Sequence, residues 1–147
     1  MVESTQLFRR WLRHKRIGLD TSFLIPILGE DKVEETSIVR LVRLIEKKSI
    51  VLVTSTITLL ELLVHPYRSK NLSLVRDYYG YLTRLPLLKL LTLTPEISDR
   101  AAELRAVYGF KTPDAVQLAT ALAGGATLFL TRDHRFRKQK EIELGIL

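Results

Sequence analysis

Four acidic residues lie where the sequence predicts that a strand ends or a helix begins. They are Asp20, Glu61, Asp114 and Asp133. Because clustered carboxylates repel one another, four of them at one site would require a cation, and hard oxygen ligands suit Mg²⁺ or Mn²⁺. These ions often share their remaining coordination positions with a substrate phosphate. The candidate chemistry therefore involves a divalent metal and a phosphate group.

Three of these acids also have a purely structural interpretation. Asp20 and Asp133 suit the N-cap of a helix or a turn, because their carboxylates accept hydrogen bonds from backbone N–H groups. Thr112 is expected to cap a helix in which Pro113 takes the first position and Asp114 complements the positive end of the helix dipole. Each interpretation is sufficient for the residue taken alone. The case for a common site therefore depends on the acids together.

Glu61 is the acid that local structure explains least well. Two leucines flank it on each side, so no face of the predicted helix around it is obviously polar. A buried carboxylate is costly unless it pairs with a cation. A basic residue at the rim, such as His65 one helical turn later, is one candidate partner, and a metal ion is another.

An alternation of apolar runs and amphipathic segments must position these acids. The runs predict strands at Arg16–Asp20, Ser49–Val53, Leu87–Leu91, Ala126–Leu130 and, at the sheet edge, Leu144–Leu147. Apolar residues at helical spacing predict helices over Ile38–Ile45, Val75–Leu82, Ile97–Tyr108 and Ala115–Leu122. This order indicates an α/β fold with a mostly parallel sheet of about five strands. Right-handed crossovers place the carboxyl ends of parallel strands at one edge, so residues that follow strands are expected to converge there.

The composition excludes several classes of protein. The chain has 147 residues, 23 Lys plus Arg, 16 Asp plus Glu and a formal net charge of +7, which predicts one basic globular domain. It has no cysteine, which excludes a disulfide scaffold, a thiolate metal site and a cysteine nucleophile. Zinc is disfavoured because only three histidines are present. Neither a P-loop nor a GxGxxG fingerprint occurs.

The sequence also lacks the features of a membrane or secreted protein. No apolar run approaches the roughly 18 residues that a bilayer-spanning helix needs. The segment Met1–Arg16 has no uninterrupted apolar stretch followed by a small-residue cleavage site, so it does not resemble a secretory signal. A cytoplasmic location is therefore expected.

Two basic clusters frame the predicted sheet. The first lies within residues 9–16, where Leu7, Phe8, Trp11 and Leu12 also predict an amphipathic helix, with Trp11 packed against the domain. The second lies within residues 132–140 and begins beside Asp133, so it could hold a polyanion near the metal. The alternative for the second cluster is a solvated surface helix.

The acids and their neighbours, in order and spacing, resemble the motifs of PIN-domain ribonucleases. The motifs are Asp20-Thr21-Ser22, the helix that carries Glu61, Thr112-Pro113-Asp114-Ala115 and Thr131-Arg132-Asp133. The chain departs from the pattern at Arg132, where many members of the family have Asn. The length is similar to that of VapC-type toxins of prokaryotic toxin–antitoxin pairs. The resemblance implies a three-layer α/β/α fold in a single nuclease domain at residues 17–147, preceded by a basic amphipathic extension at residues 1–16.

What the resemblance implies for function is a metal-dependent endoribonuclease. Asp20, Glu61, Asp114 and Asp133 would be the catalytic residues and would hold one or two Mg²⁺ or Mn²⁺ ions. Asp20 and Asp114 would be the core ligands, while Glu61 and Asp133 would bind further out or through water. The substrate contacts would come from Ser22, Thr131, Arg132 and Arg135.

The resemblance also implies partners: an RNA substrate, a small antitoxin protein and a second copy of the chain in a homodimer. Two alternatives remain open. One is a binding module for RNA or protein that has the same fold without catalysis. The other is a PIN nuclease that processes RNA and is not a toxin.

Overall fold

The helices and strands alternate along the chain as an α/β protein requires. The computed structural model describes residues 2–28 and 37–147; Met1, the first residue of the predicted extension, lies outside this range. The elements are α1 (Val2–Trp11), β1 (Arg16–Leu19), α2 (Thr21–Leu28), α3 (Ser37–Lys47), β2 (Val51–Ser55), α4 (Thr56–Arg68), α5 (Leu72–Arg84), β3 (Leu88–Leu91), α6 (Pro95–Tyr108), α7 (Thr112–Ala123), β4 (Leu128–Thr131), a 3₁₀ helix (His134–Lys138) and β5 (Glu143–Ile146).

The five strands form one sheet in the order β3-β2-β1-β4-β5, and every neighbouring pair is parallel. The predicted α/β class and sheet of about five strands are confirmed. The strand order reverses between β1 and β4, and ligands of open α/β sheets bind beyond the carboxyl ends of strands at such a point. Asp20 follows β1 and Asp133 lies two residues beyond β4, so both lie at this position.

The boundaries of β2 differ from the prediction. The strand begins at Val51 and extends to Ser55, two residues beyond the predicted Ser49–Val53. Ser49 has a φ of 53°, and its backbone N–H donates to Glu46, so it completes the end of α3 instead of opening the strand. At the other end, the hydroxyl of Thr54 donates to the Leu19 carbonyl. That bond allows a polar residue in a buried strand.

Side chains on the two faces of the sheet pack into two apolar clusters. In β4, Leu128 and Leu130 contact one cluster and Phe129 contacts the other, as the alternation of side chains along a strand requires. The first cluster includes Phe8 and Trp11 of α1, which are 3% and 2% exposed. The amphipathic helix predicted near the N-terminus is therefore present, and its Trp11 packs in the core. Among the described residues, no helix has both the length and the apolar character that crossing a bilayer requires.

Gly18 allows α7 to lie directly against β1. A Cβ atom at this position would be 2.4 Å from the Cβ of Ala121 in α7 and 3.0 Å from Cδ2 of Phe129. Only a residue without a side chain fits such a contact. Since Asp114 lies in the first turn of the same helix, this contact helps to position Asp114 relative to the end of β1.

Candidate active site

The four predicted acids line one small pocket of about 170 Å³ at the carboxyl edge of the sheet. Asp20 comes from the end of β1, Glu61 from α4, Asp114 from the first turn of α7 and Asp133 from the segment after β4. The pocket is also lined by Thr21, Ser22, Ile25, Gln117 and Arg135. The structure thus brings together acids that are far apart in the sequence.

Asp20 is the most buried of the four acids, at 6% exposure. Its Oδ1 accepts hydrogen bonds from Ser22 Oγ at 2.7 Å and from the backbone N–H of Phe23 at 3.3 Å, and its Oδ2 accepts one from Thr131 Oγ1 at 2.8 Å. Burial raises the pKa of Asp20 from 3.8 to about 6, although these three hydrogen bonds oppose the shift. The bond to Phe23 also caps α2, so the structural interpretation of Asp20 holds together with its position in the pocket.

Arg135 contacts two of the acids. It donates to Asp133 from its backbone N–H at 2.8 Å and from Nε and Nη2 at 2.8 and 2.5 Å, and its Nη2 lies 3.5 Å from Oδ2 of Asp114. The hydrogen bonds from Arg135 lower the pKa of Asp133. The backbone bond also makes Asp133 the N-cap of the 3₁₀ helix, as its structural interpretation predicts.

Asp114 lies in the first turn of α7, where the helix dipole favours a negative charge. Desolvation nevertheless raises its pKa, while Arg135 acts in the opposite direction. The prediction that Thr112 caps this helix is wrong. The N-cap is Lys111, which makes no side-chain capping bond, and the Thr112 hydroxyl instead accepts a hydrogen bond from Arg105 at 2.9 Å.

Glu61 reaches the pocket from α4 and is half-buried. His65, one of its two candidate partners, is exposed, and the ion pairs of the described residues do not include one between Glu61 and His65. The helix therefore directs Glu61 toward the other acids and His65 toward solvent.

The predicted substrate contacts differ in how accessible they are. Ser22 lines the pocket, donates to Asp20 and accepts a bond from the backbone N–H of Arg132 at 2.9 Å. Thr131 is fully buried, and its hydroxyl accepts a bond from the backbone N–H of Asp133 at 2.9 Å. The side chains of Arg132 and Arg135 are exposed at the edge of the site. Ser22 and Thr131 therefore fix the Asp20 carboxylate in this structure.

A set of buried polar side chains that the sequence did not reveal lies against the pocket, and two of them, Thr21 and Gln117, also line it. Thr21, Thr54, Thr58 and Gln117, here called the Thr–Gln network, are at most 6% exposed and hydrogen-bond to one another. One available signal was Gln117, a polar residue in the apolar stripe of the α7 helix, three residues after Asp114. A similar signal was Thr58, three residues before Glu61.

The chemical type of the side chains in the pocket suits a hard divalent cation. The acids supply carboxylate oxygens, which are the ligands that Mg²⁺ and Mn²⁺ prefer, and the Arg135 guanidinium already places a positive charge against two of them. Across residues 2–28 and 37–147, however, no three Asp, Glu, His or Cys side chains are close enough together to hold a metal ion as they stand. Arg135 holds Asp133 and lies close to Asp114, and the hydroxyl groups of Ser22 and Thr131 hold Asp20.

Comparisons with known proteins agree with this architecture. Residues 17–142 match the PIN domain family. No curated protein gives a significant match to the chain.

Several solved structures share the fold. VapBC2 from Rickettsia felis, bound to a DNA fragment from its promoter, has a TM-score of 0.69 and 18% identity, covering 89% of this chain and 98% of that one. A toxin–antitoxin complex from Klebsiella pneumoniae has a TM-score of 0.60 and 23% identity, covering 83% and 90%. VapC20 from Mycobacterium tuberculosis, a toxin that cleaves the sarcin–ricin loop, has a TM-score of 0.63 and 20% identity, covering 82% and 92%. At these identities the likeness is one of fold.

The PIN domain family matches residues 17–142, which is most of the chain. Together with the parallel sheet and the acids at its carboxyl edge, this match shows that the chain belongs to the PIN domain family.

Proposed function

We propose that the protein is a metal-dependent endoribonuclease that hydrolyses RNA phosphodiester bonds at the acidic pocket. One observation carries the proposal: in a chain of the PIN family, carboxylates from four separate segments line the same pocket. Four acids on one small surface are costly unless positive charge neutralises them, and a divalent metal ion, which can also bind an RNA phosphate, meets that need.

The acids would divide the work of holding Mg²⁺ or Mn²⁺. Asp20 and Asp114 are the proposed direct ligands, and Glu61 and Asp133 bind further out or through water. When bound, the ion supplies a more acidic water for in-line attack on phosphorus and neutralises charge on the leaving oxygen. Ser22 and Thr131 keep the Asp20 carboxylate in place through their hydrogen bonds.

Arg135 and Arg132 are the proposed contacts to the RNA backbone. A guanidinium binds a phosphate through two parallel hydrogen bonds, as it binds a carboxylate. In this proposal Arg135 exchanges Asp133 for the phosphate when RNA enters. The remaining cations of residues 132–140 extend the positive surface along the RNA.

We further propose that the nuclease is the toxin of a toxin–antitoxin pair that acts in the cytoplasm. The fold is that of proteins described as VapBC2, a toxin–antitoxin complex and the toxin VapC20. A small antitoxin would then be its partner.

A homodimer is the proposed assembly. Leu60, Val64 and Tyr67 lie on one side of α4 and are 60%, 40% and 58% exposed. Together with Leu63 and Arg68 they line a shallow apolar groove. An apolar surface of this kind is a candidate for contact with a second copy of the same chain.

The test is cleavage of total RNA and of a panel of structured RNAs by the purified protein with Mg²⁺, Mn²⁺ or EDTA. Asp20→Asn and Asp114→Asn are expected to abolish the discrete products that wild type forms with metal. Asp77→Asn is the matched control, because it makes the same change in an exposed acid of α5. Products that persist in EDTA or in both site variants would contradict the proposal. RNA binding without cleavage by a folded, metal-loaded protein would favour the non-catalytic module.

A further inference from the structure

The Thr–Gln network connects the elements that carry three of the acids. Thr54 Oγ1 in β2 donates to the carbonyl of Leu19 at 3.0 Å and lies 2.8 Å from Thr58 Oγ1 in α4. Thr21 Oγ1 in α2 donates to Thr58 Oγ1 at 3.3 Å. Nε2 of Gln117 in α7 donates to Thr58 at 2.7 Å and to Thr21 at 3.1 Å. Two strands and three helices therefore meet in one buried hydrogen-bonded group.

Counting protons gives these hydrogen bonds a single direction. A threonine hydroxyl has one proton to donate and two lone pairs to accept with. The proton of Thr54 goes to Leu19, so Thr58 must donate to Thr54. The proton of Thr21 goes to Thr58, which then accepts from both Thr21 and Gln117 and uses its full capacity. Since neither hydroxyl has a proton left, only the NH₂ group of Gln117 can face them, and the orientation of the amide is fixed.

Each helical member of the network is close in sequence to an acid of the pocket. Thr58 and Glu61 are three residues apart in α4, and Asp114 and Gln117 are three residues apart in α7, so each pair lies on one side of its helix. Thr21 directly follows Asp20. A rotation or shift of α4 or α7 that broke a bond to Thr58 would move Glu61 or Asp114 relative to Asp20.

The network has a cost in stability. Fixing the amide leaves Oε1 of Gln117 buried without a hydrogen-bond partner among the described residues. A leucine at this position would avoid that cost, since the flanking residues of α7 are apolar and buried. A buried polar atom without a hydrogen-bond partner in a well-packed core is a feature expected at functional sites.

We propose that Thr58 and Gln117 are positioning residues of the acidic pocket. Their hydrogen bonds fix the rotation of α4 and α7 so that Glu61 and Asp114 face Asp20 and can share one divalent ion. This assignment rests on the proposed metal-dependent function. Removing a group that orients metal ligands without binding the metal itself typically lowers metal affinity about 10- to 100-fold.

The experiment measures Mn²⁺ affinity by calorimetry and by electron paramagnetic resonance, with the melting temperature recorded in EDTA. Thr58→Val keeps the side-chain shape without the hydroxyl, and Gln117→Leu removes both the amide donor and its unpartnered oxygen. Each is expected to bind Mn²⁺ about 10-fold more weakly or worse. Gln117→Leu is expected to melt within about 4 °C of wild type or above it, because it removes an unsatisfied buried atom.

Two variants serve as controls. Thr58→Ser keeps the hydroxyl and is expected to restore the Mn²⁺ affinity that Thr58→Val loses. Thr120→Val makes the same isosteric change at a second fully buried threonine, which lies in α7 and whose Oγ1 has no hydrogen-bond partner in the described part of the chain. Its Mn²⁺ affinity is expected to equal that of wild type.

The outcomes separate the positioning role from the proposed function. Wild-type Mn²⁺ affinity in both Thr58→Val and Gln117→Leu would overturn the positioning role alone. Equal losses in Thr58→Ser and Thr58→Val would also overturn it, because the hydroxyl would not be the cause. If the wild-type protein binds no Mn²⁺, the result would contradict both the proposed function and the positioning role.

Discussion

Arg135 holds the carboxylate of Asp133 through three hydrogen bonds, one from its backbone and two from its guanidinium. The same guanidinium lies 3.5 Å from Asp114. The chain therefore supplies its own cation to two of the four acids. A divalent metal that binds these carboxylates must compete with the Arg135 guanidinium. A substitution of Arg135 therefore tests this competition.

Replacing Arg135 with glutamine is expected to strengthen metal binding and weaken RNA cleavage. The side chain of Arg135 is 56% exposed, so its ion pairs are screened by water and the gain in Mn²⁺ affinity should be modest, about two- to fivefold. The loss of the proposed phosphate contact should lower kcat/KM for RNA. Calorimetric titration with Mn²⁺ and steady-state cleavage rates measure the two effects.

Arg137→Gln is the control for Arg135→Gln. It removes the same charge from an exposed position of the same 3₁₀ helix. Weaker Mn²⁺ binding in Arg135→Gln than in Arg137→Gln would contradict competition and would mean that Arg135 helps to arrange the acids for the metal.

The buried Asp20 predicts how stability depends on pH. Its pKa is about 6 in the folded protein and 3.8 when unperturbed, so between about pH 4 and pH 6 the folded state binds more protons than the unfolded state. Its contribution to the free energy of unfolding therefore falls as pH rises through this window, by about 2–3 kcal/mol. Asp20→Asn lacks this titration. Urea unfolding in EDTA should show the variant gaining stability over wild type by about that amount from pH 4 to pH 7.5, and a constant difference would contradict the prediction.

The strands and helices could be predicted because their signals are local. Apolar runs marked all five strands, and the helical spacing of residues such as Leu118 and Leu122 marked α7. The end of β2 was missed because Thr54 and Ser55 are polar, and only the folded chain reveals the carbonyl that accepts the Thr54 hydrogen bond.

The acids could be predicted as candidates, but their partners could not. Gln117 bonds to residues 96 and 59 positions away in the sequence, and no spacing rule connects them. Arg135 was predicted to bind phosphate, yet its contacts with Asp133 and Asp114 depend on how the 3₁₀ helix meets α7. Specific hydrogen bonds between distant segments are set by tertiary packing, which periodicity does not describe.

The contact between α7 and β1 predicts that Gly18→Ala destabilises the fold. The added methyl group would meet Ala121 at 2.4 Å, and overpacking of this kind typically costs about 1–3 kcal/mol. Gly80→Ala is the matched control, because a Cβ at Gly80 in α5 would lie 3.9 Å from the Arg84 guanidinium, which is an ordinary contact, and alanine favours a helix. Urea unfolding should show the two variants changing stability in opposite directions. Wild-type stability in Gly18→Ala would mean that α7 can move away from the sheet freely.

Thr120 predicts a stabilising substitution. Its hydroxyl is fully buried and has no hydrogen-bond partner among the described residues, so Thr120→Val removes a desolvated polar group without changing the shape of the side chain. The free energy of unfolding should rise by about 1 kcal/mol, as measured by urea unfolding. A loss of similar size would show that the hydroxyl has a partner after all.

The apolar side of α4 predicts the oligomeric state. Leu60→Asp places a charge in the middle of the proposed dimer contact and is expected to give the mass of one chain by light scattering, where wild type gives two. Leu93→Asp makes the same change at another exposed leucine, 47% exposed and outside α4, and should leave the dimer intact. A wild-type mass of one chain at micromolar concentration would contradict the dimer.

The parallel sheet determines when the acidic pocket can first exist. Asp20 is held by the hydroxyl of Thr131, which lies 111 residues later in the chain, and Asp133 comes two residues after that. β1 and β4 are parallel neighbours, so they can pair only when the whole segment between them has been made. A ribosome synthesising this protein therefore carries a growing chain with scattered acids and no assembled pocket. The order of synthesis itself keeps the pocket from forming until Asp133 has been made.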